Sequence, residues 1–390
     1  MLFEIIIYAF LVIVLFFCLQ LFLGLVFVNK GEQSKQTIRR IGSCVVIIPA
    51  HNEESGITDT LNNIKQELGE NDRMVVIADN CSDNTASICR ELGVEVLERF
   101  NKEHVGKGFA LQHGVDYVKE NYPETQTIVV MDADCLFEKG AFSRIVSKSQ
   151  ALDSVVQGKY LMLSPNQNNI KLNIAEFTWM IKNWVRPVGQ KMLGIGCHIQ
   201  GSGMAFPLRV LKAHSLASSS IVEDLELGLN LTKAKEEVFF FDEPSVYSYF
   251  PENEVGLETQ RKRWEHGHMA IVLKMPKVIL KAIFKLNLPL ALKALDAAIP
   301  PTVLWLATSI LVIIISLVAS YWLGFGLFFI SSLITLTMLG LLFLIWVKLG
   351  TKILPARQLS GALNFVLSKF GVYKSFIKNR EKEWKRTNRD

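Results

Sequence analysis

Apolar and polar positions change rhythm several times along the chain. From Ile5 to Val28 no charged residue interrupts an apolar run, and from Ile299 to Val347 none does either. A bilayer crossing takes ~20 apolar residues, so the first run predicts one span. The second predicts two, turning near Ser320 to Gly326, with kink-prone Pro300-Pro301 at its start. A cleaved signal peptide would have a shorter apolar core and a small-x-small cleavage site, which does not follow here. A retained anchor is the reading. Between the runs, from Ser43 to about Tyr249, short apolar stretches alternate with helical spacing. "CVVIIP", "MVVIA", "VEVL" and "TIVVM" read as buried strands. Ile57, Leu61, Ile64 and Leu68, the segment after Thr85, and Gly106 to Tyr117 read as the intervening helices. This alternation predicts an α/β fold with a parallel, Rossmann-like sheet covered by helices on both faces. In open sheets of that kind, ligands bind beyond the carboxyl ends of the strands.

Charge placement adds an orientation. Lys30, Lys35, Arg39 and Arg40 follow the first predicted span, and Lys348, Lys352 and Arg357 follow the last, while the turn between the second and third carries no charge. The positive-inside rule then predicts three spans with the N-terminus outside, and a cytoplasmic middle segment and C-terminus. The net charge of +5 is small, but Lys274, Lys277, Lys281, Lys285 and Lys293 punctuate an apolar stretch just before the second span. The tail from Lys374 to Arg389 is also basic. Such amphipathic basic segments beside spans predict contact with membrane lipids. No nucleic-acid motif is present, and nucleic acid is not an expected partner. The six cysteines are scattered, without a CxxC pair or zinc-ligand spacing, and read as reduced packing residues.

The strand ends carry the candidate chemistry. After the first strand comes "PAHNEE", after the second "DNCSDNT", and after the fourth "DADC". Asn52, Glu53, Asp79, Asp83, Asp132 and Asp134 are thereby placed along one edge of one sheet. Asp83 and Thr85 have a simpler role as caps of the next helix, and Asn52 can hold a turn. Residues two apart on a strand share a side, so Asp132 and Asp134 are expected to converge on a hard divalent cation, Mg²⁺ or Mn²⁺, completed by water and phosphate oxygens. The implied ligand is a nucleotide diphosphate, with Lys107 at a helix start as a phosphate partner. No Walker loop is present. Downstream, "IVEDLELGLNL" sets Glu223 and Asp224 at the start of a predicted helix, and "ETQRKRWEHGH" gathers Gln260, Arg261, Arg263, Trp264, His266 and His268. The dipole alone favours acids at a helix start, and membrane interfaces favour Arg and Trp. Trp179 and Trp184 in "FTWMIKNWVRP" are read as buried packing, with acceptor contact as the alternative.

Taken in order, Pro49-Ala50-x-Asn52-Glu53, Asp79, Asp132-Ala133-Asp134, Glu223-Asp224 and Gln260-x-x-Arg263-Trp264 resemble the motifs of membrane-embedded family-two glycosyltransferases, the group of cellulose, hyaluronan and poly-N-acetylglucosamine synthases. The resemblance covers nearly the whole chain. It implies a GT-A fold binding a nucleotide-sugar, most often UDP-linked. Asp79 would recognise the uracil–ribose end, with Pro49, Asn52 and Glu53 nearby. Asp134 would hold the metal, supported by Asp132, and Asp224 would be the general base beside Glu223. Gln260, Arg263 and Trp264 would close over the site, Arg263 on the diphosphate and Trp264 on the acceptor sugar. Gly201, Ser202 and Gly203 in "QGSGMAF" would shape the sugar and acceptor pocket. Ala78 and Val222 depart from the usual Asp and Thr of the pattern, without removing a required group.

The expected organisation is an anchor over residues 1–30, a cytoplasmic catalytic block over 41–255, the Gln-Arg-Trp segment with interface helices over 256–298, two spans over 299–348 and a basic tail over 349–390. The expected reaction is inverting transfer of a hexose or N-acetylhexosamine to a lipid-linked or growing glycan, with polysaccharide export partners. A processive synthase remains the alternative. A polyprenyl-phosphate sugar transferase needs no strong base and lacks the Gln-Arg-Trp motif. A sugar nucleotidyltransferase would begin with a glycine-rich loop, and an inactive binding scaffold would not retain every candidate catalytic group.

Overall fold

The structure is a computed structural model, and it describes residues 2–28, 40–359, 361 and 376. Lys30, Lys35, Arg39 and the basic tail from Lys374 to Arg389, apart from Phe376, lie outside the described residues. Helix α1 (Leu2–Phe27) precedes β1 (Cys44–Ala50), α2 (Ile57–Glu67), β2 (Arg73–Asp79), α3 (Thr85–Glu91), β3 (Glu95–Arg99), α4 (Lys107–Asn121) and β4 (Thr127–Val130). There follow β5 (Leu136–Phe137), α5 (Ala141–Leu152), β6 (Val155–Leu163), α6 (Ile170–Met180), α7 (Arg186–Met192), β7 (Met204–Pro207), α8 (Leu208–Ala213), α9 (Glu223–Lys233) and β8 (Val238–Tyr249). Helices α10 (Glu254–Val272), α11 (Met275–Phe284), α12 (Leu288–Ala297), α13 (Thr302–Leu323) and α14 (Gly326–Ile345) come last.

The chain divides into two compact units. One joins Gly31–Pro165 with Gly196–Trp264 and carries an eight-stranded sheet, ordered β3-β2-β1-β4-β7-β6-β8-β5. The first four strands are parallel, as the alternation predicts. Val45 to Ile48, Val75 to Ile77 and Ile128 to Val130 are all buried, because helices cover both faces. Beyond β4 the sheet departs from the parallel expectation. β7 runs antiparallel to both β4 and β6, and β5 antiparallel to β8. These strands escape periodicity because β5 has two residues and β7 four, too few to show an alternation. Helix α4 sits close on the sheet: a Cβ added at Gly114 would lie 2.7 Å from Ile77 and 2.9 Å from Ile47. That close seat fixes where Lys107, its first residue, points.

The other unit joins Met1–Lys30, Asn166–Ile195 and Glu265–Arg380. Among its described residues, three helices are long and apolar enough to cross a membrane, at Phe3–Phe27, Thr302–Leu323 and Gly326–Gly350, and α13 turns into α14 at Gly324 with φ +74°. The contacts therefore group differently from the contiguous blocks of the sequence. Residues 166–195 leave the sheet between β6 and β7 and pack on α1 through Ile181, Val185, Phe17 and Leu21. The approach is so tight that a Cβ at Gly24 would lie 2.2 Å from the Val185 carbonyl oxygen, and one at Gly189 would lie 2.1 Å from that of Gln20. Buried Arg186 donates to Asp296 Oδ1 at 2.6 Å and to Gln20 Oε1 at 3.2 Å, and lies over the Phe17 ring. A buried charge persists only with such partners. One turn of π-helix, Ile181–Val185, absorbs the extra residue between α6 and α7.

Candidate active site

The acid-bearing loops converge at the carboxyl ends of β1, β2 and β4, around a cavity of about 140 Å³. Pro49, Glu53, Asp79, Lys107, Asp132, Asp134 and Arg263 all line it, so seven residues scattered over the sheet-bearing unit's sequence meet at one place. Asp132 and Asp134 come together by a route other than strand alternation. β4 ends at Val130, and the Cys135 N–H donates to the Asp132 carbonyl at 3.1 Å, closing a turn that swings both carboxylates to one side. Ligand atoms of Asp132, Asp134 and Cys135 lie within 4.8 Å of one another. Burial, reinforced by Asp134 and Asp132, pushes the Cys135 thiol well up, which keeps it protonated and a poor ligand for a hard ion. Two carboxylates facing an open polar cavity suit Mg²⁺ or Mn²⁺, with water and phosphate oxygens completing the sphere.

A second cluster joins these acids to the helix start downstream. Lys107 Nζ bonds Asp132 Oδ1 at 2.5 Å and donates to the Gly201 carbonyl at 2.8 Å. A Cβ at Gly201 would lie 3.6 Å from that Nζ and 3.5 Å from Asp224 Oδ2, so Lys107 and Asp224 both lie against this one glycine. Gly201 and Gly203 both have positive φ, +93° and +66°, conformations that a side chain would strain. The Ser202 hydroxyl between them accepts from the Asp132 N–H at 3.0 Å, and its carbonyl is held by Gln157 Nε2 at 2.9 Å. Gly201, Ser202 and Gly203 thus act here as the scaffold of the acidic turn. Burial works against the Lys107 ammonium, but Asp132, Glu223 and Asp224 outweigh it and raise its pKa. Glu223 also shifts upward, which for a carboxyl disfavours the charged form. Burial, then the Asp224 charge, push its carboxyl up to about 7, against the opposing pull of Lys107.

On the other side of the cavity, Asp79 is buried and fixed by Arg99 Nη1 at 2.5 Å. Arg99 was not anticipated, although it ends β3 directly opposite Asp79 in the sheet register. His51 was also missed. Its Nδ1 lies 2.6 Å from the Asp79 carbonyl oxygen and so donates to it, and the ring lines the cavity. Asn52, at φ +57°, holds the first two loops together: its Oδ1 accepts from the Ser82 N–H at 2.7 Å. Asp83 accepts from the N–H groups of Thr85, the first residue of α3, at 3.0 Å and Glu54 at 3.1 Å, but the N-cap position is Asn84 rather than the expected Asp83 or Thr85. Arg263 reaches the cavity from α10. Gln260 and Trp264 are on the same helix without lining the cavity; Gln260 is buried and its Oε1 has no hydrogen-bond partner among the described residues.

Residues 45–211 match the family model described as Glycosyl transferase family 2. Together with the mixed sheet, the match makes the α/β unit GT-A-like. A probable glycosyltransferase, YdaM, of Bacillus subtilis (strain 168) is 27% identical over 270 residues, 65% of this chain and 60% of the relative. The 4,4'-diaponeurosporenoate glycosyltransferase of Staphylococcus haemolyticus (strain JCSC1435) is 25% identical over 247 residues, 59% of this chain and 61% of the relative. The chain spans about three fifths of the length of these curated relatives. Among solved structures, the mannosyltransferase PcManGT from Pyrobaculum calidifontis, in complex with GDP-Man and Mn²⁺, superposes with a TM-score of 0.47 at 14% identity, covering 85% of this chain and 99% of that one.

Proposed function

We propose that this chain, whose residues 45–211 match the family 2 glycosyltransferase model, is a membrane-anchored, inverting hexosyltransferase. It takes a nucleotide-sugar, UDP-linked by preference, and transfers a hexose or N-acetylhexosamine to a hydroxyl of a lipid-linked or growing glycan at the cytoplasmic face. The observation that carries this reading is the convergence of the paired acids, Asp79, Lys107 and Arg263 on one cavity, with Asp224 one glycine away from Lys107. Such a site has the parts a glycosyl transfer needs.

A sugar hydroxyl is a weak nucleophile, so a base must accept its proton as oxygen attacks the anomeric carbon. Asp224, opening α9, is assigned that proton. The bond from the anomeric carbon to the phosphate oxygen breaks on the opposite face, and the nucleoside diphosphate leaves with the electron pair. Arg263 provides a fixed positive charge for it, and Lys107 holds Asp132 in place. A divalent ion on Asp132 and Asp134 would neutralise the diphosphate when bound. Glu223, beside the base, sets the local charge. The membrane helices and exposed lysines support an acceptor drawn from the lipid surface, and subgroup membership with the polysaccharide synthases is part of the same proposal.

A second reading concerns the acceptor. The Staphylococcus relatives are named for a carboxylate, and an acceptor already ionised would need no base. Asp224→Asn separates the two. With a hydroxyl acceptor, transfer from a radiolabelled UDP-sugar falls by roughly 10²–10⁴-fold while UDP binding stays within a few-fold of wild type. Undiminished transfer by that variant would remove Asp224 from the mechanism and favour the carboxylate.

A further inference from the structure

We propose that the hairpin of α11 and α12 carries an apolar wedge that inserts its tip, Phe284 and Leu286, into an anionic lipid leaflet. Five apolar side chains around the turn face outward: Leu280, Ile283, Phe284, Leu286 and Leu288, with Phe284 86% and Leu286 93% exposed. Isolated exposed leucines are ordinary on any surface, but a cluster on one turn is not.

The backbone sharpens the case. Lys285 ends α11, and the N–H groups of Leu286 and Asn287 bond back to Ile283 and Ala282 at 2.9 Å each, the paired bonds that close a helix with a left-handed residue. That residue is Leu286, at φ +53°, where glycine or asparagine is usual. A turn facing water gains nothing from a strained, fully exposed leucine; a turn facing hydrocarbon does. The tip is also stiff, because Asn287 Oδ1 caps α12 by accepting from the Leu290 N–H at 3.1 Å. Met275, Ala282 and Leu290 anchor the hairpin's inner side.

Charge selects the occupant. Lys274, Lys277, Lys281 and Lys285 are all exposed, and no acidic residue occurs between Leu273 and Leu295. A collar of ammonium groups around an apolar tip matches anionic headgroups above acyl chains. Only four residues, Ala298 to Pro301, separate the end of α12 from α13, so the hairpin lies close to where that span begins.

The inference rests on α1, α13 and α14 spanning the bilayer, and the test separates the two. Full-length protein in lipid nanodiscs is labelled with an environment-sensitive fluorophore at Leu286→Cys or, as a control on α13, at Ile314→Cys. A Cys81→Ser background removes the native thiol that is not buried. Acyl chains brominated within the hydrocarbon should quench both labels, and the Leu286 label should lose its quenching in neutral discs and in a variant with all four lysines changed to glutamine. Quenching at Ile314 without quenching at Leu286, in anionic discs, overturns the wedge alone. Loss at both positions overturns the spans themselves. Quenching at Leu286 that is indifferent to lipid charge overturns the role given to the lysines.

Discussion

Glu223 shows how much one side chain's surroundings matter. Its carboxyl titrates near 7 in the folded chain because burial and the neighbouring Asp224 charge disfavour the anion. Unfolded, it returns to the ordinary carboxyl value of 4.5. The folded state binds the proton more tightly, so this group contributes stability that is complete below about 4.5 and lost as pH rises through about 7. Glu223→Gln should therefore melt above wild type at pH 8, by roughly a few degrees, and close to it at pH 5. Equal shifts at both pH values in thermal denaturation would contradict the assignment. Much of this site was legible from residue types at strand ends, since a polar, acidic loop after each buried strand has few structural uses. The link from Lys107 through the Gly201 carbonyl to the neighbourhood of Asp224 was not, because a backbone oxygen carries no signature in sequence. His51 and Arg99 were missed for a related reason: each looks like an ordinary loop or strand-end residue until the register sets it against Asp79.

At the level of elements, hydrophobic rhythm located β1 to β4 and the three long apolar helices of the described residues, whereas β6 and β8, nine and twelve residues long and parallel to each other, were not read as strands. The pairing of Asp132 with Asp134 was anticipated, but through strand alternation; a tight turn performs it instead. Short antiparallel strands and the docking of α7 on α1 depend on partners far away in sequence. Gly189 makes that docking testable. Its missing Cβ is replaced by the Gln20 carbonyl oxygen, a backbone atom that cannot rotate aside. Gly189→Leu should cost ~1–3 kcal/mol by overpacking, seen as a lower melting temperature in detergent with UDP affinity retained. An unchanged melting temperature would mean the two helices separate more easily than their packing indicates. Leu286 is the opposite case, accepting ~1–2 kcal/mol of left-handed strain with no neighbour that requires it.

For the molecule as a whole, connectivity matters more than composition. The helix-forming stretch 166–195 belongs by contact with α1, although strands of the other unit flank it on both sides. Removing residues 1–30 would bare Val185, Ile181 and the buried Arg186 face. That truncation should aggregate in a detergent that keeps the full-length chain monodisperse, judged by size-exclusion chromatography; an equally monodisperse truncation would show that 166–195 holds its shape unaided. The same interleaving imposes a timetable on biosynthesis. When α1 leaves the ribosome, the residues that will grip it are still more than a hundred codons away, and the last strand of the sheet arrives later still. Helix α1 must wait with its Gly24 notch empty, while the half-made sheet waits for β7 and β8. Neither part can mature first, so a stall between them exposes both.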